Sequence, residues 1–187
     1  MEIDYNKLAT EVHAENVKKG FYDKEPERSM TLLLVVSELM EMIEADRIDN
    51  KITASGKIIA NKLFNGNVDD CPPLFKEVFK KSIKDTIEDE AADVIIRLLD
   101  YAGWQGIDLT HKEDVNICAA SEDLAENIWV IITLINEHRI NNKPSIYSIL
   151  RNCDYAFRII LNIDTWKHVE LKRKYNALRP QKNGKKY

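Results

Sequence analysis

Apolar residues recur at helical spacing along almost the whole chain. Between Ser82 and Ala102 there is neither Gly nor Pro, and Ile87, Ala91, Val94, Ile95, Leu98, Leu99 and Ala102 return every three or four positions. That is the signature of one face of a long buried helix. The same period predicts a first helix over Tyr5 to Lys19, stopped by Gly20, and a second from about Pro26 to Ser29 through Arg47. The stretch from Ile48 to Pro73 reads as loop, with one short helix near Lys57 to Phe64. Two more apolar helices are expected over Glu122 to Arg139 and Ser145 to Leu161, parted by Asn141-Asn-Lys-Pro144. A last one starts at Asp164, a residue type that caps helices, and runs to Leu178. No stretch alternates with the two-residue period of a strand, so the expected fold is all-α, in one domain over residues 1–187.

A weak internal echo pairs Asp93-Val-Ile-Ile-Arg-Leu-Leu-Asp and Gly106-Ile-Asp with Phe157-Arg-Ile-Ile-Leu and Asn162-Ile-Asp. Each is an apolar helix closing into an Ile-Asp turn. The second copy lacks carboxylates, so it is read as a packing partner or as chance similarity among amphipathic helices.

Composition narrows the class. Hydrophobic residues make up 44% and charged residues 31% of 187 positions, the balance of an ordinary globular protein. No apolar run approaches the ~20 residues of a membrane span, and the acidic N-terminus does not resemble a secretory signal. Cys71, Cys118 and Cys153 are too few and too far apart for a disulfide framework or a Cys-ligated zinc site. A cytoplasmic location is expected. Net charge is −4, yet the segment from Lys167 to Tyr187 is strongly basic.

Charge matters most where it interrupts the apolar pattern. In the long helix, Glu90 and Asp93 stand three apart on one face, with Arg97 one turn further. In the second helix, Glu38 and Glu41 do the same within Leu32-Leu-Leu-Val-Val-Ser-Glu-Leu-Met-Glu. Carboxylates beside an apolar seam are costly unless a cation meets them. One such pair alone is commonplace on a solvated face. Two pairs on two strongly apolar helices, packed antiparallel, would converge four oxygen donors, a set suited to Mg²⁺ or Mn²⁺. A di-iron bundle requires Glu-x-x-His on two helices. None of His13, His111, His138 and His168 follows a Glu at that distance.

With a metal at that point, the basic tail acquires a use. Lys172, Arg179, Lys182, Lys185 and Lys186 would close over a polyphosphate, or else solvate a frayed terminus. Arg97 would pair with Asp93 along its helix or reach a phosphate. Phe21, Tyr22 and Phe64, read as loop residues near the site, are candidates for stacking on a base. Trp104, Trp129 and Trp166 are read as core or interface residues.

Taken together, these residues resemble the all-α nucleoside triphosphate pyrophosphohydrolases of the MazG-like group, whose relatives include dimeric dUTPases and dCTP pyrophosphatases. Their Glu-x-x-Glu and Glu-x-x-Asp motifs read here Glu38-Leu-Met-Glu41 and Glu90-Ala-Ala-Asp93. Lys19-Gly-Phe-Tyr-Asp23 and the closing Lys174-Tyr-Asn-Ala-Leu-Arg-Pro-x-x-x-Gly-Lys185 are similar as well. The resemblance covers roughly residues 1–110 and 162–187. It departs in two places: residues 109–161 form an insertion of two extra helices before the C-terminal helix, and Asn183 stands where relatives often have His.

The resemblance implies Mg²⁺-dependent hydrolysis of a (deoxy)nucleoside triphosphate to the monophosphate and pyrophosphate, in a homodimer or higher homo-oligomer. Glu38, Glu41, Glu90 and Asp93 would be the metal ligands, with Glu41 and Glu38 in the catalytic role and Glu41 orienting or deprotonating the water. Arg97, Lys172, Tyr175, Asn176, Arg179, Lys185 and Phe21 would contact substrate. Two other classes compete: a catalytically weak nucleotide-binding regulator of the same fold, and a helical nucleic-acid binder. The negative net charge and the absence of a reading motif argue against nucleic acid.

Overall fold

The computed structural model describes residues 3–66, 72–110 and 115–184, and among these the regular structure is all helix, with no strand. In order come α1 (Tyr5–Lys18), α2 (Arg28–Arg47), α3 (Ala54–Asn65), α4 (Pro72–Ser82), α5 (Ile87–Gln105), α6 (Leu124–Asn141), α7 (Ile146–Asp154) and α8 (Thr165–Ala177). The chain of α7 runs on as a π-helical segment, Tyr155–Ile160, and a 3₁₀ turn, Gln181–Gly184, follows α8. No described helix is long and apolar enough to cross a membrane.

The centre of the molecule is α5. Its residues from Ile87 to Ala102 are buried almost without a break, only Asp93 and Arg97 keeping partial exposure. Helices α1, α2 and α8 pack around it, and α6 and α7 close the far side of α2 and α5. Arg28 of α2 meets Tyr101 of α5 while Glu38 meets Arg97, so the two helices run antiparallel. α1 crosses α5 at Gly103, where an added Cβ would lie 2.4 Å from the Ala9 carbonyl oxygen. α5 ends at Gly106, whose φ of +62° is the left-handed conformation that closes helices.

One large apolar core joins α1, α2, α5, α6 and α7. A second, smaller one gathers Ile52, Ala60, Phe75, Phe79, Ile83, Leu171 and Tyr175 beneath α3, α4 and α8.

Two expectations need correction. The stretch read as loop up to Pro73 does not lead straight into the long helix, because α4 occupies Pro72–Ser82 between them. Proline lacks only an N–H that the first turn of a helix leaves unpaired anyway, so Pro72-Pro73 opens a helix instead of breaking one. Between α4 and α5, Asp85 takes φ +63°, and Thr86 caps α5 by accepting from the Asp89 amide at 3.3 Å. Phe64 lies in α3, not in a loop, with the Lys174 ammonium over its ring.

Candidate metal centre

α5 opens with Glu88, Asp89 and Glu90 in its first turn, where the positive end of the helix dipole favours carboxylates. All three are buried. Across the seam α2 supplies Glu38, 3% exposed in the middle of an apolar helix. Oxygen atoms of Glu38, Glu90 and Asp93 lie within 4.8 Å of one another, and so do those of Asp85, Asp89 and Glu90. Glu90, common to both groups, therefore joins them into one acidic cluster at the start of α5. Glu41, one turn along from Glu38, is exposed at its edge.

Two cations enter the cluster. The Lys172 ammonium, 4% exposed overall, lies 2.7 Å from both Asp89 and Asp93. Arg97 donates through Nε to Glu38 at 3.0 Å, across the α2–α5 seam, so its partner is not the Asp93 of its own helix. These pairs leave the cluster incompletely satisfied. Among the described residues, Glu90 Oε2 and Asp89 Oδ1 are buried without any hydrogen-bond partner, a state that costs roughly 1–3 kcal/mol per group and more when charged.

Protonation follows that crowding. Burial, opposed by the Lys172 charge and reinforced by Asp93 and Asp89, pushes the Glu90 carboxyl up to about 9. Asp89 is raised to about 6, burial again leading and Lys172 opposing. Glu38 is raised by burial and by Asp93, with Arg97 pulling the other way. For Lys172, burial lowers the pKa, but Asp93, Asp89 and Glu90 outweigh it and hold the ammonium above its ordinary value. At neutral pH the centre thus keeps a proton on a carboxyl that a divalent cation would displace.

The other sequence-predicted residues are distributed unevenly. Tyr175 is 2% exposed and stacks on Phe79 at 4.4 Å, which makes it a core residue of the smaller cluster. Asn176 and Arg179 lie one turn apart and contact each other, Arg179 also covering the Tyr175 ring. Phe21 and Tyr22 lie in the turn after α1. Tyr22 stands edge-on to His13, which in turn reaches the buried Asp100 at 3.2 Å. The C-terminal segment docks on this turn instead of on the carboxylates. Lys182 pairs with Asp23 at 3.3 Å and donates its amide to the Lys19 carbonyl, and the Lys19 ammonium reaches the carbonyls of Ala177 and Arg179. Lys185 and Lys186 fall outside the described residues.

Two carboxylates of the cluster, Asp85 and Asp89, are not among the sequence candidates, and neither has a spacing signal beyond its neighbours. Lys172, expected at a substrate phosphate, instead pairs with Asp89 and Asp93, and with His168, Leu171 and Tyr175 it falls on the inward face of α8 at helical spacing.

No protein-family model, no curated protein and no solved structure matches the chain. What the centre does is therefore read from its own residues and from the motif resemblance.

Proposed function

We propose that the chain is a Mg²⁺-dependent nucleoside triphosphate pyrophosphohydrolase of the MazG-like all-α type. The observation that carries this reading is the convergence of Glu38, Glu90 and Asp93 from two helices, with a buried Glu90 oxygen that has no partner. Carboxylate oxygens at that density are hard donors of the kind Mg²⁺ takes, and an unpaired one inside the cluster is the group a cation would satisfy. Glu38, Glu90 and Asp93 would hold the ion, with Glu41 completing the set from the rim. The ion would supply neutralisation of the negative charge that builds on the phosphate chain during hydrolysis.

The chain's own residues do the rest. Glu41, exposed and without a hydrogen bond or ion pair among the described residues, accepts a proton from, or orients, the attacking water. Arg97, on Glu38, and Lys172, on Asp89 and Asp93, set two positive charges among the carboxylates, which lessens the repulsion a polyphosphate would meet there. By the same resemblance the protein works as a homodimer or larger homo-oligomer. The exposed Leu33 and Met40 on α2 offer apolar surface for a second copy. The proposed setting is nucleotide-pool house-cleaning.

One observation favours a different reading, the catalytically weak nucleotide-binding relative. Lys172 and Arg97 already neutralise much of the cluster, as a purely structural ion network would. Incubation with Mg²⁺ and a panel of common ribo- and deoxynucleoside triphosphates including dUTP, followed for pyrophosphate, separates the two. Pyrophosphate from one or a few substrates, reduced at least about 100-fold in Glu41→Gln, is expected. Metal and nucleotide binding without pyrophosphate would replace the enzyme by the regulator. Because Glu41 is exposed, the same variant should change stability by no more than about 0.5 kcal/mol.

A further inference from the structure

One cavity among the described residues is remote from the carboxylates. It measures about 590 Å³ and lies where the start of α1 meets α7, its π-helical extension and the start of α8. None of the acidic cluster lines it. Its walls carry three aromatic rings, with Tyr5 standing edge-on to Tyr147 at 5.8 Å and to Trp166 at 5.5 Å. They also carry two arginines, Arg151 and Arg158, which flank a carboxylate, Asp154, that is only 2% exposed.

A buried carboxylate is costly, and Asp154 offsets that cost by taking several donors at once. Arg158 donates to both of its oxygens through Nε and Nη2, at 3.2 and 3.1 Å, and Trp166 donates through Nε1 at 2.9 Å. Arg151 comes within 3.9 Å of Asp154 and lies beside Tyr5 in the same wall. The result is a wall in which the Arg158 guanidinium is fixed from behind and Arg151 is held close by, while their side chains stay 47% and 39% exposed. A guanidinium has five N–H donors, so the outward ones remain oriented at little further entropic cost. The backbone here is π-helical, a geometry that costs stability and is enriched at functional sites.

We propose that this cavity is a second ligand site, for a small aromatic anion: one flat ring carrying a single phosphate or carboxylate, the chemistry of a nucleoside monophosphate or an aromatic acid. The rings provide faces and edges for stacking, and the arginine forks match a phosphate or carboxylate. The charge balance sets the upper limit. Asp154 offsets one arginine and Asp4, which keeps its charge while capping α1, offsets the other, so the lining is formally neutral. The guanidinium forks offer donors to one anionic group without a surplus of positive charge, so a triphosphate with its several charges is excluded. The volume lies within the ~300–1,000 Å³ usual for small-molecule sites.

Trp166 reports on the site directly. A Trp104→Phe, Trp129→Phe chain leaves it as the sole tryptophan, and EDTA keeps divalent ions out of the carboxylate centre. The probes are nucleoside monophosphates, the matching nucleosides, inorganic phosphate and benzoate. A saturable fluorescence change with at least one ring-bearing anion, with a Kd below about 1 mM, is expected. It should weaken at least about tenfold in Arg151→Gln and be unaltered in Glu90→Gln. Nucleoside monophosphate against benzoate tells the two sources apart. Phosphate alone binding as well as the best probe would remove the aromatic requirement, and nucleosides binding as well would remove the anionic one. No saturable change, no effect of Arg151→Gln, or loss in Glu90→Gln overturns the site. Calorimetry on the wild-type chain repeats each comparison without tryptophan substitutions.

Discussion

At one end of the α2–α5 seam, Arg28 donates through Nε to the Tyr101 hydroxyl at 2.8 Å. It also reaches the His138 carbonyl at 2.9 Å and the Asn142 side chain at 2.6 Å. The Tyr101 hydroxyl then meets His138 Nε2 at 3.3 Å, and His138 Nδ1 meets the Pro144 carbonyl at 2.9 Å. Since that carbonyl can only accept, Nδ1 carries the proton and Nε2 receives the tyrosine's. Every group has a partner of the right kind, and the arginine also closes the C-terminus of α6. At the other end, Glu38, Glu90, Asp93 and Asp89 crowd together around Lys172 and Arg97, with two buried oxygens left over.

Both networks reach into the interior, both contain an arginine, and both tie α5 to its neighbours. They differ in how completely they are satisfied. The first has no unmet donor or acceptor to offer a ligand, so it is a clamp. The second retains like charges and orphan oxygens that folding alone would not select. Incomplete satisfaction marks the site.

That contrast can be broken in three graded ways. The largest effect belongs to Lys172→Met, which leaves Asp89 and Asp93 without their shared cation. A loss of about 3–5 kcal/mol in urea unfolding is expected, partly restored by Mg²⁺ if the ion can stand in for the lost charge. In the clamp, Tyr101→Phe deletes one acceptor for Arg28 and one donor to His138. It should cost about 1–3 kcal/mol and leave the proposed pyrophosphate release unaltered. A loss of activity there would mean the two networks are coupled.

The smallest effect is the pH dependence of the clamp. Burial, with help from Arg28 and against the Pro144 hydrogen bond, lowers the His138 pKa from 6.5. The folded chain therefore binds fewer protons than the unfolded one just below that value. The stability His138 contributes is complete above pH 6.5 and falls as the pH drops through the lowered folded value, at no more than about 1.4 kcal/mol per pH unit. Chemical unfolding between pH 5 and 7.5 should show that slope in the wild type and a flatter one in His138→Gln.

How much of this was legible beforehand varies by element. The long helices announce themselves because Gly and Pro are confined to their ends and apolar residues keep the helical period. α4 was not legible because Pro72-Pro73 is the same punctuation whether it stops a helix or starts one. Glu38, Glu90 and Asp93 could be picked out because carboxylates on an apolar face are expensive. Glu41 shares their motif yet is exposed, since spacing fixes a face of α2 but not how deeply each turn is covered. Lys172 was read as part of a basic tail. The charge run of α8 and its inward face overlap at that one residue, and only packing tells which prevails. Arg97 turns across the seam because Lys172 already holds Asp93, a competition that no local pattern encodes.

The most direct measurement is thermal melting of the wild-type chain and Glu90→Gln against increasing Mg²⁺. If the crowded carboxylates form a cation site, Mg²⁺ at a hundredfold excess over its Kd should stabilise the wild type by about 2.7 kcal/mol. For a chain of this size that is a rise of roughly 5–10 °C in Tm. Glu90→Gln, with its orphan carboxylate oxygen replaced, should lose most of that rise. An equal response in both chains, or none in the wild type up to about 10 mM, would contradict the account and leave the cluster a structural ion network.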